Sequence, residues 1–103
     1  MTTSAGDDIS EDQFMQAVST VCASDASLSP LGAALLVAHR LGVARDSRTF
    51  ARNLGVEHAL VLREISGLDD GGFLLVTSRN ARTQRAELAL TERGERLAAL
   101  ARA

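Results

Sequence analysis

The sequence predicts a mainly α-helical domain that carries one small β-hairpin, and three observations predict this class. Apolar residues recur at helical spacing in several segments, and capping residues precede those segments. A β-rich segment over 73–77 and an alternating segment over 84–90 flank the polar run 78–83, as in a hairpin. Finally, 46% apolar and 23% charged residues in a chain of 103 are the balance of a single globular domain.

The first two helices are predicted from their caps and apolar stripes. Ser10 is placed to cap the first helix, with Gln13 as its partner in a capping box. Ser29 is placed to cap the second helix, with Pro30 in the first turn, where its missing N–H costs nothing. Gly42 fits the position that ends this helix. The stripes comprise Phe14, Ala17, Val18 and Val21 in the first helix, and Leu31, Ala34, Leu35, Ala38 and Leu41 in the second.

Two further helices are predicted around a tight turn. Ser47 is expected to cap a short third helix, Gly55 to make the turn, and residues 57–68 to form the fourth helix. The spacing of the apolar residues predicts which side of each helix faces inward. The inward residues are Phe50, Ala51 and Leu54 in the third helix, and Val61, Ile65 and Leu68 in the fourth.

The hairpin and a last helix complete the predicted order. Alternation places Ala86, Leu88 and Leu90 on one face of the second strand, and Thr91 is placed to cap the last helix. The order of elements predicts a winged helix-turn-helix: a three-helix core, a two-stranded wing and flanking terminal helices. We expect residues 10–103 to form this single domain and residues 1–9 to be a flexible acidic tail.

Charge is distributed unevenly along the chain. The formal net charge is −2, yet the first 25 residues contain five acidic and no basic residues. All eleven basic residues follow, and all are arginine. Arginine presents a planar fork of donors that suits phosphates and guanine edges, although a GC-rich genome would also favour arginine codons. The acidic tail over 1–9 is a candidate screen for the basic part of the chain.

Composition also argues against several other functions. One cysteine, no signal peptide and no apolar run of about 20 residues lead us to expect a cytoplasmic protein. Three Phe with no Tyr or Trp provide few of the stacking platforms that single-strand binders use. Neither His39 nor His58 shows metal-ligand spacing, and no catalytic set is readable, so we expect no enzyme, cofactor or metal. Cys22 is expected to fill a small apolar position, with redox sensing as the alternative.

Short motifs follow one another between residues 47 and 100. Residues 50–56 read FARNLGV, 61–68 read VLREISGL, 72–74 read GFL and 90–94 read LTERG. In this order the segment resembles MarR-type winged-helix transcriptional regulators, although Glu and Leu occupy places where that family often has small polar residues. The resemblance implies a homodimer that binds double-stranded DNA.

The resemblance and the arginine pattern together predict a DNA-binding surface. We expect the recognition helix, about 57–68, to enter the major groove, and the wing, about 78–84, to contact phosphates or the minor groove. There Arg63 can fork onto guanine, and Leu60 or Leu62 can contact a thymine methyl group. The candidate DNA-binding residues are Arg48, Arg52, His58, Ala59, Leu60, Leu62, Arg63, Arg79, Asn80, Arg82 and Arg85.

The terminal helices are the expected homodimer interface, because a short terminal helix has few places to bury its apolar stripe. The residues predicted at this interface are Phe14, Val18, Val21, Leu97 and Leu100. A different function stays open: a winged-helix module that binds a protein, such as another regulator or an antirepressor, through Leu60 and Leu62. A continuous positive face would favour DNA, whereas acidic groups at Glu57, Glu64 and Asp70 that interrupt it would favour the protein partner.

Overall fold

A computed structural model of the protein describes residues 10–101, and the predicted tail over 1–9 lies outside the described residues. Within them the chain forms five α-helices and one two-stranded antiparallel sheet, so a mainly α-helical domain with a small hairpin is confirmed. None of these helices is both long and apolar enough to cross a bilayer. The elements are α1 (Glu11–Ser24), α2 (Pro30–Arg40), α3 (Ser47–Leu54), α4 (His58–Asp70), β1 (Leu74–Arg79), β2 (Ala86–Leu90) and α5 (Glu92–Ala98).

Side-chain caps set where three of the helices begin. At α1 the backbone N–H of Gln13 donates to Ser10 Oγ, and the N–H of Ser10 donates to Gln13 Oε1, each at 3.0 Å. Ser29 and Thr91 accept equivalent backbone N–H bonds at the starts of α2 and α5, at 2.9 and 3.0 Å. Three of the four predicted caps are therefore confirmed, and each contributes about 1 kcal/mol to stability.

The predicted start of α3 is wrong by one residue. Asp46, not Ser47, is the N-cap, and its carboxylate accepts from the N–H and the hydroxyl of Thr49 at 2.9 and 2.8 Å. Aspartate and serine are equally good caps, so the sequence pattern did not distinguish these neighbours. The hydroxyl of Ser47 is thereby left to bond elsewhere.

The core is built around α2, whose residues 32–38 are all buried. Val21 of α1, Phe50 of α3, Ile65 of α4 and Leu74 of β1 are each at most 1% exposed and join this core. Burying a side chain of this size stabilises the fold by about 1.5–3 kcal/mol. One continuous apolar core therefore holds α3, α4 and the hairpin in place.

The terminal helices pack onto α2, which corrects the predicted dimer interface. Val18 and Val21 are 5% and 0% exposed within the single chain, so we assign them to the core. Phe14 and Leu97 are half-buried, and Leu100 is exposed. The prediction assumed that the apolar stripe of α1 has no partner within the chain, whereas α2 provides that partner.

The strands of the hairpin pair with Leu74 opposite Leu90 and Arg79 opposite Ala86. The register shifts between Val76 and Ser78, where β1 contributes one extra residue. Ala86 and Leu88 are buried and Leu90 is half-buried, so the predicted inner face of β2 is confirmed. A β-bulge of this kind adds local twist and redirects the end of the hairpin.

The turn of the hairpin covers 80–85, about two residues later than predicted. Asn80 Oδ1 accepts from the backbone N–H groups of Arg82 and Thr83, both at 2.9 Å, and this local bonding sets the turn. Gln84 takes a left-handed conformation with φ of 64°. Arg79 consequently lies in β1 rather than in the turn, and Arg82 lies at its tip.

Candidate nucleic-acid interface

A buried serine joins the hairpin to the two helices that carry most of the candidate residues. Ser47 is the first residue of α3 and is fully buried. Its Oγ accepts the backbone N–H of Ala86 in β2 at 2.8 Å and lies 2.7 Å from Nε2 of His58 in α4. Ala86 and His58 are the first residues of their elements. A single hydroxyl therefore fixes the starts of α3, α4 and β2 relative to one another.

His58 bonds to Ser47 within the fold, so its Nε2 is not available to contact a base. Burial lowers the pKa of its imidazole below the ordinary value, the positive charge of Arg48 and that of Arg79 lower it further, and Asp46 acts in the opposite direction. A neutral imidazole can accept the Ser47 hydroxyl proton at Nε2. We therefore reassign His58 from a DNA contact to a positioning residue, because its Nε2 is already used within the fold.

Two of the candidate arginines, Arg48 and Arg79, have their guanidinium groups close to His58. Arg48 belongs to α3 and Arg79 to β1, yet both guanidinium groups are near enough to affect the pKa of His58 at the start of α4. Arginines of two separate elements, α3 and β1, thus bring positive charge to the start of α4.

The hairpin is attached to the segment that leads into α3. The backbone N–H of Leu88 donates to the carbonyl of Arg45 at 3.1 Å, which continues the pairing of β2. Arg85 pairs with the carboxylate of Asp46 at 3.5 Å. Arg48 reaches the turn itself, because its Nη2 and Nε donate to the carbonyl of Thr83 at 2.6 and 3.2 Å. These contacts hold the hairpin against α3 from base to tip.

Three predicted DNA contacts, Arg48 among them, make bonds within the hairpin or its attachment to α3. Arg85 is ion-paired with Asp46, and Asn80 uses its side-chain oxygen to shape the turn. Burial alone would raise the pKa of Asp46, but hydrogen bonds from Thr49 and the charge of Arg85 bring the pKa below its ordinary value. Asp46 is thus held ionised for Arg85, so we reassign Arg85 and Asn80 to positioning the hairpin.

The arginines divide into paired and unpaired groups. Within residues 10–101, four arginines have a carboxylate oxygen within 4 Å: Arg40, Arg85, Arg93 and Arg96. The other six in this part of the chain have none, and all six are exposed. They occupy the segment before α3, the helices α3 and α4, and the hairpin. The unpaired arginines are Arg45, Arg48, Arg52, Arg63, Arg79 and Arg82.

The outward face of α4 is narrower than predicted. Ala59, Leu60 and Arg63 are exposed, whereas Leu62 is half-buried and packs against the core. We therefore assign Leu62 to packing and keep the other three as candidate contacts. Leu60 is 41% exposed, which makes it one of the most exposed large apolar side chains in the described part of the protein.

Acidic groups around α4 point in different directions. Glu64 is half-buried, and its Oε1 accepts the hydroxyl proton of Ser29 at 2.7 Å, so this carboxylate is directed toward α2. Asp70 is the last residue of this 13-residue helix, about 18 Å from its start. Glu57 is exposed immediately before α4 and makes no side-chain cap bond. It is the carboxylate that stays beside Leu60 and Arg63.

The other candidate residues lie near the core. Cys22 is half-buried, with its Sγ 3.8 Å from the carbonyl oxygen of Leu28. His39 is half-buried, with its Nε2 3.0 Å from the carbonyl oxygen of Leu88. In the described residues, no group of three or more His, Cys, Asp or Glu side chains is arranged to hold a metal ion.

The pair of hydrogen bonds made by the hydroxyl of Ser47 is the feature of the candidate site that the sequence analysis missed. A serine next to an aspartate cap gives no signal of its own, since its partners are 11 and 39 residues away. No protein-family model, curated protein or solved structure matches this chain. The chemistry of the surface therefore carries the functional argument: exposed guanidinium groups on a rigid frame can bind several negative charges at fixed spacing.

Proposed function

We propose that the protein is a sequence-specific, double-stranded DNA-binding transcriptional regulator. In this proposal α3, the turn at Gly55 and α4 are the helix-turn-helix, and the β1–β2 hairpin is the wing, as in MarR-type regulators. Gly55 supports this reading because its left-handed φ of 68° produces the tight turn between the helices. The backbone bond between Leu88 and Arg45 supports it too, because it ties the hairpin to the helical unit.

The observation that carries the proposal is the distribution of unpaired arginines. The chain as a whole is acidic, with a formal net charge of −2, yet within residues 10–101 the arginines without a carboxylate partner all lie on α3, α4, the hairpin and the segment before α3. On α5, by contrast, Arg96 pairs with Glu92 at 3.3 Å. A surface that leaves several guanidinium groups without carboxylates suits a polyanion, and duplex DNA presents phosphates on both sides of a groove that admits a helix.

The expected docking follows from the positions of these groups. The start of α4 enters the major groove with Ala59, Leu60 and Arg63 outward. α3 crosses the backbone, where Arg48 and Arg52 are four residues apart on one side of the helix. The hairpin tip carries Arg82 to the phosphates or to the adjacent minor groove, whose negative potential attracts arginine.

Two variants and one matched control test this proposal. Fluorescence anisotropy with a labelled duplex, taken from the DNA upstream of the gene, should show weaker binding by Arg82→Ala and by Arg63→Ala. Arg82→Ala should weaken cognate and scrambled duplexes alike, and Arg63→Ala should mainly weaken the cognate duplex, by about 1–3 kcal/mol. Arg96→Ala removes an exposed but paired arginine of α5 and should bind like wild type. No binding at low salt, or an equal loss with Arg96→Ala, would overturn the proposal.

One observation favours a second function, a module that binds another protein. Leu60 is 41% exposed and lies one turn after Glu57, and such an apolar group beside an acidic one suits a protein partner. The same titration separates the two functions. A protein-binding module would leave the duplex unbound in dilute buffer, and substitutions of Arg63 and Arg82 would then change nothing.

We also propose that the regulator is a homodimer, with a revised interface. Of the predicted interface residues, Phe14, Leu97 and Leu100 keep exposed surface, and Met15 of α1 is 55% exposed beside Phe14. A two-fold dimer would bind a pseudo-palindrome with half-sites about 10 base pairs apart or a multiple of that. Light scattering on the purified protein should give twice the chain mass, and Met15→Glu should shift the mass toward the monomer. A monomer at all concentrations would contradict this part of the proposal.

A further inference from the structure

The exposed face of α4 has a definite chemical order. Ala59 and Leu60 come first and are apolar, and Arg63 follows one turn later. Residues three or four apart lie on the same side of a helix, so Leu60 and Arg63 point into the same space. Val61 and Ile65 are buried, which fixes the rotation of α4 and leaves this order facing outward.

Leu60 is unusual for a charged surface. Its side chain is 41% exposed although the chain has a well-filled core, and Arg63 on the same face has no carboxylate partner within the described residues. A partner that matches this face would carry negative charge and also present an apolar group. In the major groove of DNA, the C5-methyl group of thymine is an apolar group at the base edge.

We infer that α4 selects its DNA by the chemistry of two neighbouring base pairs: Leu60, assisted by Ala59, contacts a thymine methyl group, and Arg63 forks onto the N7 and O6 atoms of a guanine. Three residues of helix rise about 4.5 Å, and successive base pairs are about 3.4 Å apart. The thymine and the guanine therefore lie in adjacent base pairs or one pair apart. This inference rests on the proposed function; it selects Leu60 over the half-buried Leu62 and adds the spacing of the two bases.

The residue types around this face agree with that choice. Adenine is usually read by the amide of Asn or Gln, and the segment 57–63 contains neither. A thymine beside a guanine–cytosine pair is thus the arrangement that these side chains distinguish best.

Base analogues test the inference atom by atom. Wild-type protein first selects its preferred duplex from a random-sequence library. In that duplex each thymine is then replaced by deoxyuridine, which lacks only the methyl group, and each guanine by 7-deazaguanine, which lacks N7. Binding of wild type, Leu60→Ala and Arg63→Ala is compared. Leu75→Ala is the control, since Leu75 is 54% exposed on β1 and outside α4.

We expect one deoxyuridine to weaken wild-type binding about fourfold, as the loss of one buried methyl group would. The same replacement should have no effect on Leu60→Ala and its full effect on Leu75→Ala. One 7-deazaguanine within two base pairs should weaken wild type at least about fivefold and leave Arg63→Ala unchanged.

The failures of the inference and of the proposed function are distinguishable. If a duplex is selected but contains no thymine within two base pairs of a guanine, or if deoxyuridine weakens Leu60→Ala as much as wild type, the inference is overturned and duplex binding stands. If the library yields no bound duplex even in dilute buffer, the proposed function fails, and the inference fails with it.

Discussion

The Oγ of Ser47 lies 2.7 Å from Nε2 of His58, and the same oxygen accepts the backbone N–H of Ala86 at 2.8 Å. The two bonds connect α3 to α4 and to β2 through one buried atom. In the proposed complex α4 carries the base contacts, whereas α3 and the hairpin to which β2 belongs carry the phosphate contacts. The bond between Ser47 and His58 therefore sets the relative position of two parts of the interface without touching DNA.

Replacing Ser47 with alanine should destabilise the protein by about 1–3 kcal/mol. The substitution leaves the buried N–H of Ala86 and the imidazole of His58 without a partner, and unsatisfied buried polar groups cost this much. Urea denaturation of wild type and Ser47→Ala measures the difference. Ser66→Ala is the control, because Ser66 is exposed on α4 and should change stability by less than about 0.5 kcal/mol. Equal stability of both variants would show that the junction is not needed.

Acid should weaken the fold through His58. Its pKa is below the ordinary value in the folded state, so the unfolded chain binds more protons between the two values. The contribution of neutral His58 to the free energy of unfolding is therefore complete above the unfolded pKa of about 6.5. It decreases as the pH drops toward the folded pKa. Denaturation curves at pH 7.5 and pH 5.5 should show this loss in wild type and a smaller loss in His58→Gln. The same pH dependence in both proteins would refute the assignment.

Removing the charge of Glu57 should strengthen binding to any duplex. This carboxylate is exposed beside Leu60 and Arg63 and repels phosphates at long range, so Glu57→Gln should raise affinity severalfold at low salt. Anisotropy titrations with cognate and scrambled duplexes measure the change. Glu92→Gln, which removes a carboxylate of α5, is the matched control and should leave affinity nearly unchanged. If Glu57→Gln lowers affinity for the cognate duplex alone, Glu57 makes a base contact.

Gly67 is a position where stability can be gained. It lies inside α4 with ordinary helical φ, and a Cβ atom added there would meet no heavy atom within 4 Å. Alanine in a helix interior is more favourable than glycine by about 0.5–1 kcal/mol. Thermal denaturation should give a higher midpoint for Gly67→Ala. An unchanged or lower midpoint would indicate that α4 is distorted at this turn.

Local patterns predicted much of the fold. The caps at Ser10, Ser29 and Thr91 and the turn at Gly55 depend on residues a few positions apart, and such signals are visible in a sequence. The predicted apolar stripe of α2 covers only part of the buried surface of this helix. Other elements surround α2 on several sides, so residues 32–38 are all buried. Helical periodicity indicates one buried face and cannot show that a helix is enclosed.

The sequence indicates which residue types suit the candidate site, but it does not show which of these residues form ion pairs within the fold. Arg48, Arg63, Arg79 and Arg82 were chosen because arginine suits DNA, and the structure leaves each without a carboxylate partner within the described residues. Arg85 has the same residue type, yet it pairs with Asp46, which is 39 positions away. Pairings over such separations arise from the packed fold, and a sequence pattern does not record them.

The salt dependence of duplex binding tests the central claim most directly. Each phosphate contact that is lost should reduce the slope of log affinity against log salt concentration by about 0.9. A protein carrying Arg52→Gln, Arg79→Gln and Arg82→Gln should therefore bind with a slope shallower by about 2.7 for each bound protomer, whereas Arg40→Gln with Arg96→Gln should keep the wild-type slope. Equal slopes for all three proteins, or wild-type protein that leaves duplex DNA unbound in dilute buffer, would contradict the account.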